Sequence, residues 1–123
     1  MNDETRLKHI SKCKKTDKPR GYEVLWAQTN DYVAKIMHIS PKQRMSLQFH
    51  QKKEETIYVM SGMLSVWECE DDEAFEEYGP GTVYHVAPRM IHRFGAGENP
   101  VMLMEVSTNH LNDVVRIKDD YSR

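Results

Sequence analysis

From Tyr22 to Ser107 the apolar residues come in short bursts, each closed by a turn signal, and no stretch keeps the three-to-four spacing of an amphipathic helix. Tyr22–Thr29 and Tyr32–Ile39 are rich in Val, Leu, Trp, Tyr and Ile and flank the turn-prone pair Asn30-Asp31. Ser40-Pro41-Lys42 breaks the chain before Met45–His50, where apolar and polar residues alternate. Thr56–Met60 and Met63–Cys69 lie at hairpin distance around Ser61-Gly62. Gly79-Pro80-Gly81 precedes strands expected at Val83–Ala87 and His92–Phe94, and Val101–Ser107 completes the series. Short strands between turns predict an all-β sandwich or barrel. The in-out alternation is imperfect, as expected where strands are buried on both faces.

At 123 residues the chain suits one domain. We place a polar N-terminal arm at residues 1–17 and the barrel, with a polar C-terminal tail from Asn109, at 18–123. Asp71–Glu77 reads as a solvated acidic loop, since nothing apolar organises it. A net charge of −2 leaves no electrostatic footprint for nucleic acid, and Lys12, Lys14, Lys15, Lys18 and Arg20 read as a solvated basic arm. Cys13 and Cys69 form no metal or redox spacing and suit free thiols in a reducing compartment. With neither a signal-peptide pattern nor a membrane-length apolar window, the expected location is the cytoplasm, away from any membrane.

The chemistry-bearing residues are Gln48, His50, Glu55 and His92. Gln48 and His50 are two apart in a strand-like segment, so both side chains point to one face. Glu55 lies an odd number of residues further on and rejoins them only through a turn or bulge, for which Gln51-Lys52-Lys53-Glu54 is polar enough. His92 comes from a distant strand after Pro88. An amide oxygen, two imidazoles and a carboxylate suit a divalent ion, zinc first and iron, manganese or nickel as alternatives. Without a thiolate, the set fits an open catalytic site better than a closed structural one.

The stretch Gln48-Phe49-His50, four residues, Glu55, six residues, Gly62 resembles the first cupin motif, with Gln48 at the usual first histidine. Gly81 through Pro88 to His92-Arg93-Phe94 resembles the second motif. Lys42 and Arg89 stand where the family usually has glycine. The chain is further similar to the type II mannose-6-phosphate isomerase domain. This similarity rests on Lys18-Pro19-Arg20-Gly21-Tyr22-Glu23, Ser46–His50, Ile91-His92-Arg93, Glu105–Thr108, Asp113–Arg116 and Asp119–Arg123. Arg20 takes the place of a usual tryptophan. The resemblance implies a double-stranded β-helix, or jelly-roll barrel, acting on a phosphorylated sugar such as mannose 6-phosphate.

For such an isomerase Glu105, in an apolar run, is the first candidate base, with Glu68 behind it. Lys35 and Arg89 are candidate phosphate cations. Arg93, next to a ligand, would face away from it on a regular strand and reads equally as structural. His85 reads as a strand residue, and His9, His38 and His110 have no evident partner. The methionines at 60, 63, 90, 102 and 104 read as core filler. Two rival readings are a non-haem Fe²⁺ cupin oxygenase and a non-catalytic sugar- or metabolite-binding cupin. Exposed barrel edges and the N-terminal arm point to a homodimer.

Overall fold

The computed structural model describes residues 10–121, so His9 and the start of the arm lie outside the described residues. Eleven strands follow one another in the described residues: β1 (Lys14–Lys18), β2 (Gly21–Gln28), β3 (Val33–Ile39), β4 (Leu47–Phe49), β5 (Glu55–Ser61), β6 (Leu64–Trp67), β7 (Phe75–Tyr78), β8 (Val83–Val86), β9 (Arg93–Ala96), β10 (Val101–Ser107) and β11 (Val115–Lys118). There is no helix among them, and so none long and apolar enough to cross a membrane.

One antiparallel sheet runs β1-β2-β3-β10-β5-β8. Facing it, the pair β11-β4 and the triplet β7-β6-β9 form a second layer. The bridges Arg44↔Gly95 and Gln48↔His92 join these two pieces. The result is the expected double-stranded β-helix. Its apolar core (Met37, Ile39, Ile57, Val59, Leu64, Val66, Val86, Phe94, Ala96, Val101 and Leu103) fills one end between the layers.

Three sequence readings are corrected. Lys14–Lys18 is no part of a loose arm: it pairs in register with β2, from Lys14↔Leu25 to Lys18↔Gly21. The acidic run does not stay a loop, because Phe75, Glu76 and Glu77 pair with Trp67, Val66 and Ser65. The polar tail contributes β11, which pairs with β4. All three are edge strands whose side chains are mostly exposed. At an edge the backbone ladder supplies the stability, so apolar content is a weak guide there.

The two turn positions where glycine was expected keep a glycine-like backbone without glycine. Lys42 has φ 62° and Arg89 has φ 68°, the two positive-φ non-glycine residues among the described residues. Where glycine is present it is needed: at Gly62 (φ 83°) a Cβ would stand 2.3 Å from the Pro100 carbonyl oxygen.

Candidate metal centre and cavity

Beyond the core, the barrel opens into a cavity of about 290 Å³ whose floor includes Met37 and Phe94. Gln48 and His50 both line it, as their two-residue spacing requires. Glu55 returns to the same space because residues 51–54 leave the strand and turn before β5 begins. That turn is held from the tail. The Asp113 carboxylate accepts the backbone N–H groups of Gln51, Lys52 and Lys53 at 3.0, 2.7 and 2.9 Å. These three bonds hold the Asp113 carboxyl down at about 2. His92 arrives beside Gln48 through a two-way backbone bridge of 3.0 and 2.9 Å.

His50, Glu55 and His92 are all buried, and their ligand atoms lie within 4.8 Å of one another. Glu55 Oε1 is 3.4 Å from His92 Nε2 and 3.8 Å from His50 Nε2. Each ring gives its Nδ1 proton to a carbonyl, of Asp113 for His50 and of Met90 for His92. A carbonyl only accepts, so both Nε2 atoms are left facing Glu55, buried and without a hydrogen-bond partner. Carbonyl-anchored imidazoles with free inner nitrogens are the arrangement that metal-binding histidines use. These residues therefore fit a divalent metal. Buried Gln48 stands alongside, its amide oxygen accepting the Ser46 hydroxyl at 2.6 Å.

The second oxygen of Glu55 turns to a residue that the sequence reading had treated only as part of a polar turn or bulge. Lys53 is buried, with Nζ 3.0 Å from Glu55 Oε2 and 3.4 Å from Glu105. Burial opposes the charge on Glu55, yet the two imidazoles and Lys53 hold it well below the usual carboxylate range. Burial and the neighbouring Glu55 push Glu105 the other way, to about 7, against the pull of Lys53. Burial works against the ammonium of Lys53 too, but its two carboxylates outweigh that and raise it.

Glu105 faces inward, and Lys35 lies directly opposite it in the β10–β3 register. The two candidate catalytic residues are thus cross-strand neighbours. Lys35 is not a solvated strand lysine: it reaches into the cavity and pairs with Glu23 at 3.3 Å. Lys18 and Arg20 pair with the same carboxylate at 3.7 and 3.3 Å. Six Lys and Arg residues line the cavity (14, 18, 20, 35, 53, 116) against Glu23, Glu55 and Glu105, an excess of three positive charges.

Other sequence candidates fall elsewhere. Glu68 and Arg89 are exposed and outside the cavity lining. His85 is exposed and paired with Glu54 at 3.1 Å, His38 stacks on Tyr22, and His110 bonds Thr108. Arg93 is buried away from the cavity, donating to the Lys118 carbonyl at 3.0 Å, which makes it structural. Met60 and Met63 are exposed rather than core filler. Sequence reasoning missed Lys53, Asp113, Lys14 and Arg116. No spacing rule could single out Lys53, because it lies in the turn before β5 and outside any strand.

The mannose-6-phosphate isomerase C-terminal family matches residues 4–119. No curated protein sequence matches significantly. Among solved structures, an uncharacterised protein with a double-stranded β-helix domain from Klebsiella pneumoniae superposes with TM-score 0.66 at 19% identity, over 76% of this chain and 81% of that one. KdgF from Halomonas sp. gives 0.68 at 18% identity, over 77% and 84%. Oxalate decarboxylase from Bacillus subtilis gives 0.72 at 16% identity, over 85% of this chain and 30% of that one. At these identities the structural likeness establishes the fold alone, while the match over nearly the whole chain establishes the family: this protein is a cupin of the mannose-6-phosphate isomerase C-terminal family.

Proposed function

We propose that the protein is a metal-dependent aldose–ketose isomerase of a phosphorylated sugar, most like mannose 6-phosphate. The observation that carries this reading is a buried carboxyl group, Glu105, sharing a net cationic cavity with His50 and Glu55 of the His50–Glu55–His92 cluster. His50, Glu55 and His92 would hold the ion, with Gln48 as fourth ligand, and a zinc ion there would supply electrostatic stabilisation of negative charge on the sugar oxygens.

Glu105 does the proton work. As carboxylate it accepts the proton on C2 of the aldose. The C2–H electrons become the C1–C2 double bond, and the C1 oxygen is protonated to give the enediol. Returning the proton to C1 while the C2 hydroxyl loses its own yields the ketose. A group held at about 7 is matched to giving and taking a proton near neutrality. Lys53 keeps the ionised form of Glu105 accessible inside the barrel. Lys35, with Lys14 and Lys18 on the same sheet and Arg116 on β11 of the other layer, receives the phosphate. The exposed free thiols of Cys13 and Cys69 suit the cytoplasm, where we place the protein.

The test is solvent deuterium exchange at C2 of mannose 6-phosphate and related hexose phosphates. Metal-loaded protein is expected to exchange this position, and Glu105→Gln to lose exchange while keeping its metal by elemental analysis. Absence of exchange with every hexose phosphate overturns the isomerase reading. Unchanged zinc content in His92→Ala overturns the metal assignment separately. The His/His/carboxylate set also suits Fe²⁺, so oxygen uptake on adding Fe²⁺ would favour an oxygenase. Sugar-phosphate binding without turnover would favour a binding module.

A further inference from the structure

Two cross-strand rows, one on each layer, run along the cavity. On the six-stranded sheet Glu105 lies opposite Lys35, Lys35 opposite Leu25, and Leu25 opposite Lys14. On the other layer His92 lies opposite Gln48, and Gln48 opposite Arg116. Each row starts at a group of the proposed chemistry and ends in a cation on an edge strand, Lys14 on β1 and Arg116 on β11. Both end cations line the cavity, and neither side chain makes an ion pair or hydrogen bond among the described residues.

A second group of cations shares one carboxylate. Lys18, Arg20 and Lys35 surround Glu23 at 3.7, 3.3 and 3.3 Å, and the side chains of Arg20 and Lys35 are only 6% and 12% exposed. Burial opposes the charge on Glu23, yet Lys35, Lys18 and Arg20 hold it below the usual carboxylate range. Lys53 is taken up by Glu55 and Glu105. Apart from those three, the charged lining is Lys14, Lys18, Arg20, Lys35 and Arg116 against Glu23, an excess of four positive charges. A phosphate monoester carries about 1.5 to 2 negative charges near neutrality, so one offsets at most half of this excess and two offset nearly all of it. Buried cations left with a fraction of a counter-charge are costly, which favours a ligand that brings the rest.

We propose that the cavity seats two phosphoryl groups at once, an inner one at Lys35, Lys18 and Arg20 and an outer one at Lys14 and Arg116. Leu25 separates Lys35 from Lys14 by two strand spacings, about 10 Å. Seats this far apart fit two separate phosphoryl groups rather than one diphosphate. At the outer seat the guanidinium of Arg116 supplies paired bonds to phosphate oxygens, and Lys14 adds a point charge. The two groups belong either to one sugar phosphorylated at both ends of its carbon chain or to a sugar monophosphate and an inorganic phosphate. The proposal rests on the sugar-phosphate reading of the cavity and divides its cations into two seats.

Calorimetric titration of the full chain with inorganic phosphate reads stoichiometry without turnover, so its failure is distinct from absence of C2 exchange. Two phosphates per chain are expected for the metal-loaded protein, and still two after chelation. Arg116→Gln and Lys14→Gln are each expected to leave one, and Lys14→Gln, on an exposed edge strand, serves should Arg116→Gln not fold. Two sugars then separate the sources. Fructose 1,6-bisphosphate binding about 10- to 100-fold tighter than fructose 6-phosphate, and displacing both phosphates, assigns the two groups to one molecule. Fructose 6-phosphate and one phosphate bound together assign the outer seat to the free ion. A single phosphate per chain overturns the proposal, as does loss of the second on chelation, which would make it a metal ligand. A count of two that survives both variants overturns it equally. So does fructose 6-phosphate displacing both phosphates with the bisphosphate binding no tighter.

Discussion

The two faces of the six-stranded sheet carry opposite chemistry, each in the unexpected place. Toward the interior, the cavity end of β2, β3, β5 and β10 presents Glu23, Lys35, Glu55 and Glu105. Toward solvent, the same strands present Val24, Ile36, Tyr58 and Met104. The neighbouring positions Ile57, Val59, Leu103 and Met37 form an ordinary apolar core. Strand parity alone therefore explains which side a residue takes, and not why the polarity is inverted. Charges held inside are costly unless paired, and apolar rows left outside are costly unless covered. The first inversion gathers the candidate ligand set, and the second leaves an apolar row on the outer side of the sheet.

The largest effect should come from breaking the interior pairing. Lys53→Met leaves Glu55 and Glu105 buried side by side without their shared cation, and about 3–5 kcal/mol of unfolding free energy should be lost in urea titrations. Adding Glu105→Met to Lys53→Met should recover most of that loss. If the double variant is as unstable as the single one, the ammonium is not balancing those carboxylates.

Metal affinity comes next. Asp113→Ala removes the clamp on the 51–54 turn while touching no ligand side chain. Zinc affinity, measured by chelator competition, should fall about 10- to 100-fold, the range for groups that orient ligands. An unchanged affinity would show that the turn holds Glu55 without help from the tail.

The third prediction concerns pH and the chelator-stripped protein. Burial and Glu55 push the Glu105 carboxyl up to about 7 in the fold from its ordinary 4.5, so the folded state holds the proton more tightly than the unfolded chain. Its unfavourable contribution is absent below about pH 4.5 and complete above about 7. Glu105→Gln lacks this titration. Its melting temperature should therefore gain on wild type by several degrees between pH 4.5 and 8. A constant difference would mean that Glu105 is not the group whose burial makes the interior costly.

The smallest effect belongs to turns that neither face depends on. Lys42→Gly and Arg89→Gly each relieve a left-handed backbone and should stabilise by about 0.5–1 kcal/mol, with metal content unchanged. A destabilisation would show that these side chains make contacts worth more than the strain.

Much of this architecture was legible before any coordinates. Turn residues at Asn30-Asp31, Ser61-Gly62 and Gly79-Pro80-Gly81 punctuate the chain, and a two-residue spacing is enough to put Gln48 and His50 on one face. Local rules reached this far because turns and strand parity are local properties. They failed at β1, β7 and β11, where pairing with a neighbour outweighs a polar sequence.

By itself, then, the sequence determined the all-β class, the order of most strands and a candidate ligand group, His50, Glu55 and His92, brought together in a barrel. Only the tertiary structure decided that Glu105 points inward opposite Lys35, that Lys53 sits between two buried carboxylates, and that Asp113 reaches back more than fifty residues to hold their turn. The physical reason is the same in each case. Burial and charge partnership depend on which distant strand lies alongside, and no window of neighbouring residues contains that information.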